Sequence, residues 1–195
     1  MTSSFWISGV CGSGKSTLAV RLKQILPTDQ FDVHDFDERG VPFPTPACWR
    51  PEETGHWHGV ASENARQGRT TIICGATHAD EIVASTPTHL PMPRLCLLET
   101  SHEDIARRLA ERFKNPVFRD YLYQQSGQSP EDLIEEMRLY APQLRELFQR
   151  PEYRAIFLDT SAQTHEQTVV AILAWIRSDP PGDDTVARVC DDYRG

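Results

Sequence analysis

At 195 residues, the chain has the size of one domain with a sizeable core. Its formal net charge of -8, from 20 Lys+Arg against 28 Asp+Glu, argues against a grip on nucleic acid or an anionic membrane. No apolar run approaches the roughly 18 residues of a membrane span, no basic leader with an apolar stretch opens the chain, and its five cysteines lack the C-x-x-C spacing of a zinc site, so a cytoplasmic protein is expected.

Phe5, Trp6 and Ile7 predict a short buried strand. It runs into Gly9-Val10-Cys11-Gly12-Ser13-Gly14-Lys15-Ser16-Thr17, which fits G-x-x-x-x-G-K-[ST] at every fixed position. Leu18, Ala19, Leu22, Ile25 and Leu26 follow as an apolar stripe at helical spacing, so the glycine-rich loop lies between a strand and a helix. Its glycines let backbone amides wrap an anion at the head of a helix whose dipole favours negative charge. Gly12, Ser13, Gly14, Lys15, Ser16 and Thr17 are therefore expected to cradle the phosphates of a nucleoside triphosphate, with Lys15 on the outer ones and the Ser16 hydroxyl on Mg²⁺. Cys11, a thiol among inward-pointing amides, is expected to be acidic and open to oxidation that blocks the nucleotide.

Phe31 to Asp35 predict a second strand, followed by Phe36-Asp37 and an irregular loop rich in proline. Asp35 and Asp37, at i and i+2, are expected to point the same way toward the outer phosphate. One would serve the metal, with Asp35 assigned there, and the other would position or deprotonate an attacking hydroxyl. Residues 52–67 read as a helix with Glu52 and Glu53 in its first turn. Trp49, Trp57, His56 and His58 fall in this region, where a substrate insert of about residues 38–69 is expected; core packing or stacking on a ring would each explain the aromatics.

Thr70 to Cys74 form the third strand, and the small residues Cys74-Gly75-Ala76 after it are expected to let a substrate approach the phosphates. Thr77 is read as the cap of a short helix with Asp80 as its partner. Arg94 to Glu99 form the fourth strand; Ser101 and Asp104 open a helix with Ile105, Leu109 and Phe113 on one face. Arg107, Arg108 and Arg112 on that helix predict a lid, about residues 107–128, that neutralises charge on the nucleotide. Ser129-Pro130-Glu131-Asp132 starts another helix, with a break or kink at Pro142. Ala155 to Leu158 form the fifth strand. The last helix turns Val169, Val170, Ile172, Leu173 and Ile176 inward, and an acidic, disordered tail is expected from residue 178. The acid that ends an apolar strand near a metal has two candidates, Glu99 and Asp159.

Apolar strands alternating with helices predict an α/β, three-layer fold, a five-stranded parallel sheet with helices on both faces, spanning residues 1–177 as a single domain. In such sheets ligands bind beyond the carboxyl ends of the strands.

With these residues in place, residues 4 to 177 resemble the small P-loop kinases, the group of gluconate, adenylylsulfate, shikimate and nucleoside monophosphate kinases. The Gly9 to Thr17 loop is close to the G-x-S-G-S-G-K-[ST] of gluconate and adenylylsulfate kinases, and Asp35-Phe36-Asp37 matches their D-x-D. Arg107 to Arg112 sits where that group places lid arginines, and Asp159-Thr160-Ser161 resembles its adenine-contacting turn, which implies nucleotide binding by Arg107 and Thr160. Catalysis would fall to Lys15, Asp35, Asp37, Arg108 and Arg112. The resemblance implies ATP and Mg²⁺ as cofactors and a small-molecule acceptor of phosphate, in a monomer or homodimer. Neither Leu-His-Pro after Asp37 nor D-G-[FY]-P-R after the third strand is present, so the acceptor stays open. A nucleoside or nucleoside monophosphate kinase and a nucleotide-controlled binding module are the competing readings.

Overall fold

The computed structural model describes residues 4–178. The acidic tail expected from residue 178 thus lies, beyond Ser178, outside the described residues. Five strands, β1 (Phe5–Ser8), β2 (Phe31–Asp35), β3 (Thr70–Cys74), β4 (Arg94–Glu99) and β5 (Ile156–Asp159), form one sheet in the order β2-β3-β1-β4-β5. Every pairing is parallel, with Ile7 opposite both Cys74 and Cys96 and Asp35 opposite Cys74. All carboxyl ends therefore open on one edge.

Among the described residues seven α-helices cover both faces: α1 (Lys15–Ile25), α2 (Trp49–Arg66), α3 (Ala79–Ala84), α4 (His102–Arg112), α5 (Pro116–Ser126), α6 (Pro130–Phe148) and α7 (His165–Arg177). Period-two alternation divides the sheet's side chains between two cores. Phe5, Ile7, Ile72, Cys74 and Leu98 pack under Leu18 and Leu22 of α1 and Ile172, Trp175 and Ile176 of α7. Trp6, Ile73, Leu95 and Leu97 face the other way, against Trp57, Ile82, Ile105, Leu144 and Phe148. The central strand β1 is buried on both faces, as a continuous apolar run in a parallel sheet requires.

Caps set the helix starts. The Ser101 side chain accepts the Asp104 amide, and Ser129 with Asp132 and Thr164 with Gln167 form reciprocal capping boxes. Other expectations are corrected. Thr77 caps nothing: its hydroxyl has no partner, α3 begins after His78, and no side chain caps it. Instead the Thr77 backbone is tied to β1, donating its amide to Ser8 Oγ at 3.1 Å and accepting from that hydroxyl at 2.7 Å. Helix α6 runs unbroken through Pro142. Ile25 and Val170 are exposed rather than inward, and Trp175 takes the inward position on α7. Helix α2 begins at Trp49, earlier than its acidic turn suggested. No helix among the described residues is long and apolar enough to cross a membrane.

Candidate active site

The loop after β1 closes on itself through the Ser13 amide, which donates to the Val10 carbonyl at 3.1 Å. Gly12, at φ +88°, turns the backbone into a region L side chains avoid, and a Cβ there would press on Leu109 of α4. Gly14, at φ +100°, begins α1 with no side-chain cap, so the first-turn amides of this helix are open to an anion. Lys15 Nζ donates to the Val10 carbonyl at 2.8 Å and reaches Ser13 Oγ at 3.5 Å. Burial lowers its pKa, while Cys11, Asp37 and Asp35 pull it back up, which places both aspartates within the field of the lysine.

Asp35 ends β2, but Asp37 does not continue the strand. The chain turns, with the Glu38 amide on the Asp35 carbonyl at 3.0 Å, and the Asp37 amide donates to Asp35 Oδ1 at 3.1 Å. The two carboxylates thus share one corner because of an Asx-type turn, not because strand side chains alternate. Between them Phe36, 1% exposed, drops into the core over Gly75, where any Cβ would overlap its side chain. The small residue at 75 therefore makes room for Phe36, which replaces the expected role of admitting a substrate. Burial and then the Asp35 charge raise the Asp37 pKa, against the opposing pull of Lys15 and Arg50. On the outer side of the turn, Glu38 holds Lys23 at 2.8 Å and His34 at 2.5 Å.

Beyond Asp37 lies a polar cluster that sequence reasoning missed. Arg50, in the first turn of α2, reaches His78 Nε2 at 2.9 Å, and the same imidazole contacts the Tyr140 hydroxyl of α6. His78 Nδ1 lies 3.3 Å from Glu81. Burial, then the Arg50 charge, lowers the His78 pKa, which favours the neutral ring. Glu53, read from the sequence as a dipole-favoured acid, is 6% exposed and receives Arg39 at 3.0 Å.

The lid arginines divide. Arg108 Nη2 donates to the Thr160 carbonyl at 2.5 Å, and Nη1 reaches Thr160 Oγ1 at 3.2 Å and the Gly12 carbonyl at 3.3 Å. Arg112 lies 3.8 Å from Cys11 Sγ and stacks on Phe118 of α5. Arg107 pairs instead with Asp104 on its own helix. The structure brings Arg108, Arg112 and Thr160 to the loop and leaves Arg107 on the helix surface. A groove alongside runs from Gly14, Thr17 and Arg21 to Thr160, Gln163 and His165.

Neither candidate acid at a strand end is free. Glu99 pairs with Arg145, and Asp159 Oδ1 accepts from the Ser161 amide at 2.8 Å. Trp57 and His58 are core, with Trp57 Nε1 donating to the Phe36 carbonyl at 3.1 Å and His58 Nε2 to the Ile82 carbonyl at 2.9 Å, whereas His56 is exposed. Trp49 packs edge-on against Phe36.

The uncapped helix start, the positive-φ glycines and Lys15 fit a polyphosphate. Ser16, exposed at the start of α1, with the Asp35 and Asp37 carboxylates supplies hard oxygen donors that suit Mg²⁺, which takes few protein ligands. Among the described residues no group of three or more His, Cys, Asp or Glu could hold a metal.

No family model matches this chain, and no curated protein matches it significantly. Solved structures do. A sugar kinase from a Janibacter species is 20% identical, covering 90% of this chain and 95% of its own, with a TM-score of 0.59. A gluconokinase from Sinorhizobium meliloti is 19% identical over 89% of this chain and 91% of its own, with a TM-score of 0.51. Shikimate kinase from Acinetobacter baumannii, solved with shikimate, is 18% identical over 90% and 93%, with a TM-score of 0.50. Likenesses at this level of identity establish the architecture, and the chain has the α/β fold of the small P-loop kinases.

Proposed function

We propose that the chain is an ATP- and Mg²⁺-dependent kinase that transfers the γ-phosphoryl group to a small molecule. One observation carries this reading: the Lys15 loop that follows β1 and the Asp35–Asp37 turn that follows β2 open on the same carboxyl edge of the sheet, with Asp35 level with Cys74 and Cys74 level with Ile7. A phosphate grip and a proton acceptor stand at one place.

In this reading the amides of Gly12 to Thr17 bind the phosphates and Lys15 holds the outer ones. Ser16 and Asp35 hold Mg²⁺, which supplies charge neutralisation on the phosphate oxygens. Asp37, more basic than an ordinary aspartate, accepts the proton of the attacking acceptor hydroxyl. That oxygen forms the new P–O bond as the bond from γ-phosphorus to ADP breaks. Arg108 and Arg112 close the loop from the α4 side and offset negative charge, while Thr160 lines the nucleotide groove. A small metabolite as the acceptor is in keeping with neighbours in fold named as sugar, gluconate and shikimate kinases.

The test is ADP release from Mg-ATP by the purified protein across a panel of hydroxyl-bearing metabolites. Lys15→Ala is expected to lower stimulated turnover about a hundredfold or more, since positioning and electrostatics are nearly all of this catalysis. A near-wild-type rate for Lys15→Ala would refute the proposal.

A further inference from the structure

The acceptor's chemistry can be read from the groups around Asp37, given the kinase reading on which this rests. Arg50 of α2 meets His78, which precedes α3 and lies 3.3 Å from Glu81, and Glu53 of α2 receives Arg39, two residues beyond Asp37, at 3.0 Å. Both the Asp37 and the Tyr140 side chains feel the Arg50 cation together with neighbouring carboxylates, Glu53 for the first and Glu81 and Asp80 for the second. These groups therefore form one connected electrostatic environment.

Its balance is acidic. Asp37, Glu53, Asp80 and Glu81 are four carboxylates against two guanidiniums, Arg39 and Arg50, and His78 adds no charge in its neutral form. Lys15 does not alter that sum, because the phosphates engage it. Unsatisfied hydrogen bonding points the same way. Glu53 is 6% exposed; Oε2 takes Arg39, and Oε1 is buried with no partner. Asp80 Oδ1 and Glu81 Oε2 are likewise buried without partners, so three acceptor oxygens here stand against two unmatched donors, Arg50 Nε and the Thr77 hydroxyl. A buried acceptor atom left unmatched costs its desolvation, and a ligand that arrives with N–H or O–H groups removes that cost.

We infer that the phosphate acceptor is an uncharged or amine-bearing polyhydroxyl compound, without a carboxylate or phosphate of its own, whose donors meet Glu53, Asp80 and Glu81. An acid acceptor, whatever its hydroxyl groups donate, would bring a further negative charge into a corner that already carries an excess of them. The surroundings of Arg50 agree, because its Nη1 is engaged by His78 and its charge is outnumbered.

The experiment is ADP release from Mg-ATP by the full chain with matched acceptors: glucose, glucosamine, gluconate and glucose 6-phosphate; cytidine and cytidine monophosphate; and an aminocyclitol beside its parent polyol. Neutral and amine-bearing members are expected to give kcat/KM about tenfold or more above their acid counterparts, the scale of one like-charge contact in a desolvated site. Asp80→Asn and Glu81→Gln, which keep size and remove charge, should narrow that preference from both sides while leaving KM for ATP unchanged. Acid members that work as well or better would overturn the inference and leave the kinase reading standing. If no member stimulates a protein that binds ATP, both fail together.

Discussion

Arg108 of α4 donates to the carbonyl of Thr160, in the turn after β5, at 2.5 Å, and the same guanidinium reaches the Gly12 carbonyl at 3.3 Å. A residue 52 positions away in sequence is thereby clamped beside the phosphate loop. The planar, multi-donor guanidinium suits this role, whereas an ammonium offers one compact point of contact.

The first prediction concerns this clamp. Arg108→Ala is expected to raise KM for ATP and to lower kcat/KM by roughly tenfold to a hundredfold, on the scale of one charge-assisted contact. Arg108→Lys should recover little, since charge returns without the fork. Steady-state kinetics check both variants, and full recovery by lysine would reduce the residue to a bare charge.

The pH dependence follows from Asp37. A base must be ionised to accept a proton, and burial followed by the Asp35 charge raises its pKa. Activity should therefore rise with pH through a value above the ordinary aspartate range and then level off. Arg50 holds that pKa down, so Arg50→Gln should move the acid limb to higher pH. Asp35 pushes it up, so Asp35→Asn should move the limb to lower pH, alongside a weakened response to Mg²⁺. Profiles of kcat/KM against pH test the pair, and a shift in the same direction for both would contradict the assignment of Asp37 as base.

Gly75 and Phe36 yield a prediction that joins stability to activity. Gly75→Ala places a methyl group where the Phe36 side chain lies, which should destabilise the fold by about 1–3 kcal/mol through overpacking. Phe36 stands between Asp35 and Asp37, so its displacement should also lower turnover in the protein that remains folded. Denaturant titration and kinetics on the same preparation separate the two effects.

Ser8→Ala isolates a purely structural link. The Ser8 hydroxyl is fully buried, donates to the Thr77 carbonyl and accepts from the Thr77 amide, which also donates to the Gly75 carbonyl at 3.1 Å. Its loss should cost about 1–3 kcal/mol, the range for buried polar groups left unmatched. The midpoint of chemical denaturation measures this, and an unchanged midpoint would show that another group takes over the Thr77 backbone.

Much of this fold was legible because its signals are local. The loop from Gly9 to Thr17, the β-branched strands and the caps at Ser101 and Ser129 each lie within a few residues of the element they specify. Helix α5 was not legible as a helix: Val117, Tyr121 and Tyr123 are exposed, so it has no buried stripe to advertise it. Asn115 and Pro116, an N-cap followed by proline at the first position, were its available signal. Asp35 and Asp37 are joined by a turn, the Asp37 amide on Asp35 Oδ1, rather than by strand alternation. The Arg50, His78 and Tyr140 cluster could not be read locally, since its contacts span 28 and 62 residues. Tyr140 stands at helical spacing from Leu133, Met137 and Leu144, and that spacing does not reveal that its hydroxyl meets His78.

Transfer of phosphate to a small molecule is measured most directly by following the phosphate itself. The protein is incubated with Mg-ATP labelled at the γ-phosphate and a low-molecular-weight cell extract, and the products are separated, with Lys15→Ala as the control. Label is expected in a new organic phosphate with wild-type protein and not with the variant. Label released only as inorganic phosphate, or retained in ATP that the protein has bound, would contradict that transfer.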